Sequence, residues 1–222
     1  MNQVNYQKEL EKIINGVQET AGGAVPSLFL HSCCAPCSSY VLEYLCRYFR
    51  ITVFYFNPNI SVSEEYQKRV AEQKRLIAAY NEERRGYPIA VVEGDYEPKR
   101  FFAAAKGYES CPEGGERCFR CFELRLGETA MRGAAEEFDY FTTTLTISPL
   151  KNAKKLNEIG QTLAGEYGIA WLPSDFKKKD GYKRSIELSA QYGLYRQDYC
   201  GCTYSRRGAE HHSSSISDQI VS

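Results

Sequence analysis

The chain alternates short apolar runs with longer stretches in which apolar residues recur at helical spacing. The apolar runs are rich in β-branched and aromatic residues and lie at residues 25–30, 51–56, 89–92, 140–147 and 169–172. Helices are predicted from residue 38 onward, then over residues 64–80, 98–106, 118–137 and 152–167, with a last one ending near residue 193. Strands that alternate with helices predict an α/β fold with a mainly parallel sheet flanked by helices.

Two segments flank this α/β region. Residues 1–22 are predicted to form an N-terminal helical extension, and the polar, serine-rich residues 205–222 are predicted to form a disordered tail. A length of 222 residues suits one large domain, which we place at residues 23–204.

The net charge of the chain does not indicate a particular partner, because 28 basic side chains balance 28 acidic ones. The C-terminal third carries more basic than acidic residues, so a polyanion would meet the chain there. The N-terminus has no apolar signal region, and no apolar run approaches the length that spans a bilayer. The sequence therefore predicts a cytoplasmic protein with no membrane partner, in a compartment where thiols stay reduced.

Cysteine spacing is the most informative chemical pattern in the chain. Seven of the nine cysteines fall into three groups, which are Cys33-Cys34-x-x-Cys37, Cys118-x-x-Cys121 and Cys200-x-Cys202. Closely spaced thiolates can meet in one small volume, and thiolates are the ligands that soft metals and iron–sulfur clusters select. An odd total suits a complete disulfide framework poorly. These seven cysteines are therefore the predicted metal ligands.

The position of the groups predicts where the metal site lies. The first group directly follows strand 25–30, Asn57-Pro58-Asn59 follows strand 51–56, and Ser148-Pro149 follows strand 140–147. Ligands of parallel α/β folds bind beyond the carboxyl ends of the strands. We therefore expect a cysteine-rich metal site at that edge of the sheet.

The number of thiols bears on what the site holds. Four thiolates suffice for a structural zinc or a [4Fe–4S] cluster, and seven exceed that need. The excess indicates a cluster with a further metal, or a cluster with a redox-active dithiol; a single zinc site with spare thiols is the simpler alternative. Cys46 has apolar neighbours and is predicted to be a buried small hydrophobe, and Cys111 is given no role.

Several polar residues near these groups are further candidates. Asp198 could be an oxygen ligand, a partner of a ligand or a proton donor. Tyr195, Tyr199 and Tyr204 flank the last cysteine pair and could stack on a nucleobase or shield a cluster. Lys151, at a helix N-terminus, is a candidate anion site. The basic run 177–184, predicted to be a loop before the last helix, is with Arg196 a candidate for phosphate contact.

An ordered set of motifs resembles the QueH family of epoxyqueuosine reductases. The matching stretches are residues 31–37, 55–60, 117–126, 142–152 and 192–202, with a partial match at 175–182. The resemblance covers about residues 26–204. Each Cys-x-x-Cys alone is a weak signal, whereas this ordered set is highly specific.

The resemblance implies a fold, cofactors and a reaction. The fold would be adenine-nucleotide-hydrolase-like (HUP), holding a [4Fe–4S] cluster beside a separate mononuclear iron. The reaction would be a two-electron reduction of the epoxide of epoxyqueuosine to queuosine at the tRNA wobble position, with electrons from an unidentified donor. We expect Cys33, Cys34 and Asp198 to be catalytic. The residues expected to contact the substrate are Asn57, Lys151, Lys177, Lys178, Arg184, Arg196 and Tyr199.

Three other functions compete with this one. A zinc-stabilised RNA-binding module without catalysis would hold zinc and no sulfide. An ATP-dependent tRNA thiolase would need a glycine- and serine-rich phosphate loop after the first strand, where this chain has His31-Ser32-Cys33-Cys34. A thiol oxidoreductase using Cys34 and Cys37 would leave Cys200 and Cys202 unexplained.

Overall fold

A computed structural model describes residues 4–19 and 23–205 of the chain. Its strands are β1 (Ser27–His31), β2 (Arg50–Tyr55), β3 (Ala90–Glu93), β4 (Tyr140–Thr143) and β5 (Ala170–Trp171). Its helices are α1 (Tyr6–Glu19), α2 (Ala35–Leu45), α3 (Ser63–Glu82), α4 (Pro98–Ala105), α5 (Glu116–Ala135), α6 (Ala153–Tyr167) and α7 (Gly181–Gln191). A short 3₁₀ helix, Thr144–Ile147, follows β4.

The five strands form one sheet in the order β3-β2-β1-β4-β5, and every pairing is parallel. The chain builds outward from β1 to β3 on one side, then returns to place β4 and β5 on the other. The strand order therefore reverses between β1 and β4, which is where α/β sheets bind ligands. This sheet with flanking helices confirms the predicted fold class.

Side chains of β1 alternate between two apolar layers. Leu28 and Leu30 pack in one buried cluster with residues of α1, α2 and α3. Phe29 points to the opposite face and packs in a second cluster with residues of α5 and α6. A strand with both faces buried in this way is typical of a central strand in a parallel sheet.

The N-terminal helix α1 packs on the first of these clusters through Leu10 and Ile14. It also makes a hydrogen bond from Gln7 to the Tyr44 hydroxyl at 3.5 Å and an ion pair between Glu11 and Lys179. The division into residues 1–22, 23–204 and 205–222 stays a prediction. The tail predicted from residue 205 lies, from residue 206 onward, outside the described residues.

Two sequence-based element boundaries are wrong. The strand predicted over 140–147 ends at Thr143, because the Thr143 hydroxyl accepts a hydrogen bond from the Leu145 backbone N–H at 3.1 Å and turns the chain into the 3₁₀ helix. The basic run 177–184 is a loop only up to residue 180, since α7 begins at Gly181.

Within the described part of the chain, no helix has the length and apolar character to cross a membrane.

The carboxyl ends of three central strands are joined by one buried histidine. The ring of His31 is fully buried, with Nδ1 2.8 Å from the Thr143 hydroxyl and Nε2 3.2 Å from the Phe56 carbonyl oxygen. Because the carbonyl can only accept, Nε2 donates and Nδ1 accepts from the hydroxyl. Burial lowers the pKa of His31 to about 3, so the ring stays neutral. His31 is thus a structural residue that joins the strand ends.

The contact of α6 with β5 generates a stability prediction. A Cβ on Gly160 would lie 2.3 Å from the Trp171 ring, whereas one on Gly165 of the same helix would meet no atom within 4 Å. We expect Gly160→Ala to lower the free energy of unfolding by about 1–3 kcal/mol through overpacking. Gly165→Ala should leave it unchanged or raise it by less than about 1 kcal/mol. Urea unfolding of both variants checks this; equal effects of the two would contradict it.

Candidate metal centre

Three thiols meet at the turn between β1 and α2. The sulfur atoms of Cys33, Cys34 and Cys37 all lie within 4.8 Å of one another, and those of Cys33 and Cys34 are 3.7 Å apart. Cys34 has extended backbone angles and is the N-cap of α2, so the turn brings Cys37 back over the strand end. The Cys33 sulfur is 3.9 Å from the Thr144 hydroxyl, directly after β4. The group therefore lies where the strand order reverses.

This spacing suits a single metal ion. Thiolates bound tetrahedrally at about 2.3 Å from one ion place their sulfurs about 3.8 Å apart. Among the described residues, Cys33, Cys34 and Cys37 are the one set of three or more potential ligands close enough for this. A site with three protein ligands keeps a position open, as catalytic metal sites do.

The other four grouped cysteines surround a second, smaller space. Cys118 and Cys121 lie in the first two turns of α5, and both line a cavity of about 30 Å³ together with Cys200 and Cys202. The Gly114 backbone N–H donates to the Cys118 sulfur at 3.2 Å. These four thiols are more widely spaced than a single ion requires.

The loop of residues 199–202, called the Cys200 loop, has a backbone conformation that requires glycine at position 201. Gly201 has φ of +104°, in the region that side chains other than glycine rarely adopt. A Cβ at this position would also lie 2.8 Å from Ile60 Cγ1. The loop therefore runs tightly against the segment that follows β2.

A larger cleft of about 360 Å³ lies beside the small cavity. Five of the residues that line it also line the small cavity: Glu113, Arg125, Leu150, Lys151 and Cys200. The sequence-predicted residues in the cleft wall are Cys33, Cys37, Lys151, Arg196, Asp198, Tyr199 and Cys200. Both thiol groups therefore reach one cleft, as their placement at the strand ends predicted.

The local electrostatics favour one thiolate in each group. Thiol hydrogen bonds from Cys34 and Cys37, with the positive charge of Lys151, hold the pKa of Cys33 well below its usual range. A hydrogen bond from the Cys202 thiol and the charge of Lys151 likewise hold the pKa of Cys200 well below the usual thiol value. The proton-donating partners Cys34 and Cys202 have raised pKa values in turn. The positive charge of Lys151 thus favours the thiolate form of both Cys33 and Cys200.

Four residues predicted to contact substrate line neither cavity. Asn57 is 1% exposed; its amide donates to the Ser32 carbonyl at 2.7 Å. Arg184 pairs with Glu43 on the α2 surface at 2.8 Å. The other two are Lys177, which pairs with Asp175 at 2.5 Å, and Lys178. Substrate contact by these four stays a prediction, and Asn57, Lys177 and Arg184 have other partners in the structure.

Three site residues were missed by the sequence analysis. Arg125 is 3% exposed, and its guanidinium donates to the Cys121 carbonyl at 3.2 Å and to Asn57 Oδ1 at 3.5 Å. Its place one helical turn after Cys121 was the available signal. Glu113, in an irregular loop, and Arg69, on a charged helix, line the cleft, and no local sequence pattern indicated either of them.

Cys46 is fully buried in the apolar core, which confirms the prediction that it is a buried small hydrophobe.

Fold and site together define an α/β protein with a thiol-rich candidate metal centre. The sequence model of the family described as "Epoxyqueuosine reductase QueH" matches residues 28–208. Relatives from several bacteria carry the same description. That of Staphylococcus epidermidis is 43% identical, covering 90% of this chain and 84% of its own length. The Streptococcus pyogenes protein is 39% identical, over 92% and 79%, and the Thermotoga maritima protein is 33% identical, over 81% and 90%. The chain belongs to the epoxyqueuosine reductase QueH family.

The charge on Lys151 generates a pH prediction for the reduced, metal-free protein. At pH 7 Cys33 and Cys200 should be the cysteines that iodoacetamide modifies fastest, because the thiolate is the reactive form. Lys151→Met removes the cation that lowers both pKa values. The pH of half-maximal alkylation at both sites should therefore rise.

Peptide mass spectrometry across a pH series measures these rates. Lys155→Met is the matched control, since the Lys155 ammonium lies over the Phe119 ring and lines neither cavity. An identical profile for the Lys151 variant and the wild type would contradict the assigned electrostatics.

Proposed function

We propose that this protein reduces epoxyqueuosine in tRNA to queuosine. The epoxide accepts two electrons and two protons, both C–O bonds break, an alkene forms and the oxygen leaves as water. The observation that carries the proposal is the meeting of two separate thiol groups at one cleft in a member of this family.

The residues fit the cofactors that this reaction needs. The close group of Cys33, Cys34 and Cys37 suits a mononuclear iron, and its spacing supports that assignment. The wider group of Cys118, Cys121, Cys200 and Cys202 offers the four thiolates of a [4Fe–4S] cluster. When bound, these groups would supply single electrons and a Lewis acid for the leaving oxygen.

The environment of the four-thiol group also suits a cluster. Cys121 and Cys202 pack in an apolar cluster with Phe101 and Ala105, which keeps water from that side. The N–H of Gly114 directed at the Cys118 sulfur is a contact that tunes the electron density of a ligating thiolate.

The cleft wall supplies the remaining requirements. Its volume lies within the range of small-molecule sites, so it can take one nucleoside while the rest of the RNA stays outside. Arg196 and Lys151 offer positive charge for phosphate, and the rings of Tyr199 and Tyr182 offer surfaces for a base. Asp198 lies in the same wall, and we assign it the delivery of a proton to the leaving oxygen.

Three points complete the proposal. We place the reaction in the cytoplasm, and its electrons come from an unidentified electron donor. The relatives described as reductases favour this enzyme over a zinc-stabilised RNA-binding module without catalysis.

Turnover of a modified tRNA tests the proposed function. Protein purified without oxygen is incubated with a chemical reductant and tRNA that carries epoxyqueuosine, and the nucleosides are analysed by mass spectrometry. We expect queuosine from the wild type and none from Cys33→Ala or Cys34→Ala, which lose a predicted ligand.

Cys46→Ala is the matched control, because Cys46 lies in the apolar core away from both groups and should allow turnover. Absence of queuosine from iron-loaded wild type, or full turnover by the Cys33 variant, would refute the proposed function.

A further inference from the structure

The loop that carries Cys200 and Cys202 is held by an arginine on a helix that supplies none of the grouped cysteines. Arg69, on α3, donates through Nη2 to the Tyr199 carbonyl at 3.4 Å and through Nη1 to the Cys200 carbonyl at 3.3 Å. Two successive carbonyl groups of the loop thus accept from one guanidinium.

The segment that leads into α3 completes this attachment. Asn59 Nδ2 donates to the same Cys200 carbonyl at 3.3 Å, and the Ser61 backbone N–H donates to the Gly201 carbonyl at 3.2 Å. Three consecutive carbonyls of the loop therefore have donors from residues 59–69. The loop is fixed by its backbone, independently of its sulfurs.

The guanidinium of Arg69 is built into the protein rather than lying on it. Its side chain is 2% exposed, and Nε donates to the Glu65 carboxylate at 2.6 Å. Glu65 in turn accepts from the Tyr195 hydroxyl at 3.1 Å. A buried guanidinium is costly unless its donors are satisfied, and here its three nitrogens all have acceptors.

The four thiols differ in how they are positioned. Cys118 and Cys121 lie on a helix, so the fold of α5 places them. Cys200 and Cys202 lie on an irregular loop around Gly201, whose φ of +104° gives the loop no regular hydrogen-bonding pattern of its own. Without an attachment, ordering of this loop would weaken metal binding by its entropic cost.

We propose that Arg69 is a positioning residue that docks the Cys200 loop and so directs Cys200 and Cys202 toward Cys118 and Cys121. The inference rests on the proposed function only in taking these four cysteines as ligands of one group. Arg69 also stacks on the Tyr199 ring at 5.3 Å, so the same side chain sets a part of the cleft wall.

Iron retention in Arg69→Met tests the proposal. Protein purified without oxygen is challenged with a chelator, and iron, sulfide and visible absorption are followed together. Loss of a contact that orients metal ligands typically weakens metal binding at least tenfold, so we expect cluster loss about 10-fold faster than in the wild type.

Arg75→Met is the matched control on the same helix. Arg75 also pairs with a helix neighbour, Glu72, and donates to two backbone carbonyls, those of Tyr192 and Gly193, at 2.9 and 3.2 Å. These carbonyls precede the Cys200 loop and line neither cavity. We expect Arg75→Met to retain iron, sulfide and visible spectrum as the wild type does.

Two results would overturn the proposal. One is Arg69→Met with wild-type retention and spectrum; the other is equal loss in both arginine variants, which would indicate general destabilisation. If Arg69→Met does not fold, Glu65→Gln takes its place, because it keeps the size of the partner and removes its charge. A folded Glu65 variant should lose the cluster faster than wild type, and unchanged retention would contradict the role.

A second readout separates this inference from the proposed function. In metal-free protein, Arg69→Met should increase the alkylation rates of Cys200 and Cys202 relative to those of Cys118 and Cys121. A wild type that holds neither iron nor sulfide would refute the proposed cofactors, yet this ratio would still test the docking. An unchanged ratio would refute the docking itself.

Discussion

The parallel pairing of β1 with β4 is the constraint on which the candidate site depends. That pairing places His31 beside Thr143, and the buried hydrogen bond between them joins the two strand ends at 2.8 Å. The chain must diverge from that point in two directions, into the turn of Cys33 and into the 3₁₀ helix at Thr144. The opening between these two paths is the cleft. The group of Cys33, Cys34 and Cys37 lies on the first of these paths, where Cys33 and Cys37 line the cleft and can contact a ligand. The strands beneath the group remain paired.

The balance between thiolate charge and nearby cations is the second feature on which the site depends. Thiols in a buried pocket resist ionisation, so each group concentrates its negative charge on one sulfur, Cys33 or Cys200, that receives hydrogen bonds from its neighbours. Lys151 and Arg125 each line both cavities. The cations prepare the site for thiolate ligands before any metal binds. The same positive charge would suit RNA, the substrate of the proposed function.

Much of the fold and of the candidate site could be predicted from the sequence, because the patterns that determine them are local. Strand and helix periodicity gave the α/β class, and cysteines that directly follow strands had to reach the same sheet edge. The division into groups of three and four could not be predicted, because it depends on how α5 and the Cys200 loop approach each other in space. Lys177 and Arg184 looked like phosphate contacts, yet each pairs with a carboxylate in the structure. Arg69 and Glu65 are spaced i,i+4 on a charged helix, and only the fold shows that Arg69 is buried beneath the loop with Glu65 partly buried beside it.

The central claim is that seven cysteines form two centres rather than one. Quantification of iron, acid-labile sulfide and zinc in protein purified without oxygen tests it most directly. Two centres predict about five iron atoms and about four sulfides per chain, with no stoichiometric zinc. Four or fewer iron atoms with the same sulfide would contradict a second iron site. Stoichiometric zinc without sulfide would contradict the account as a whole.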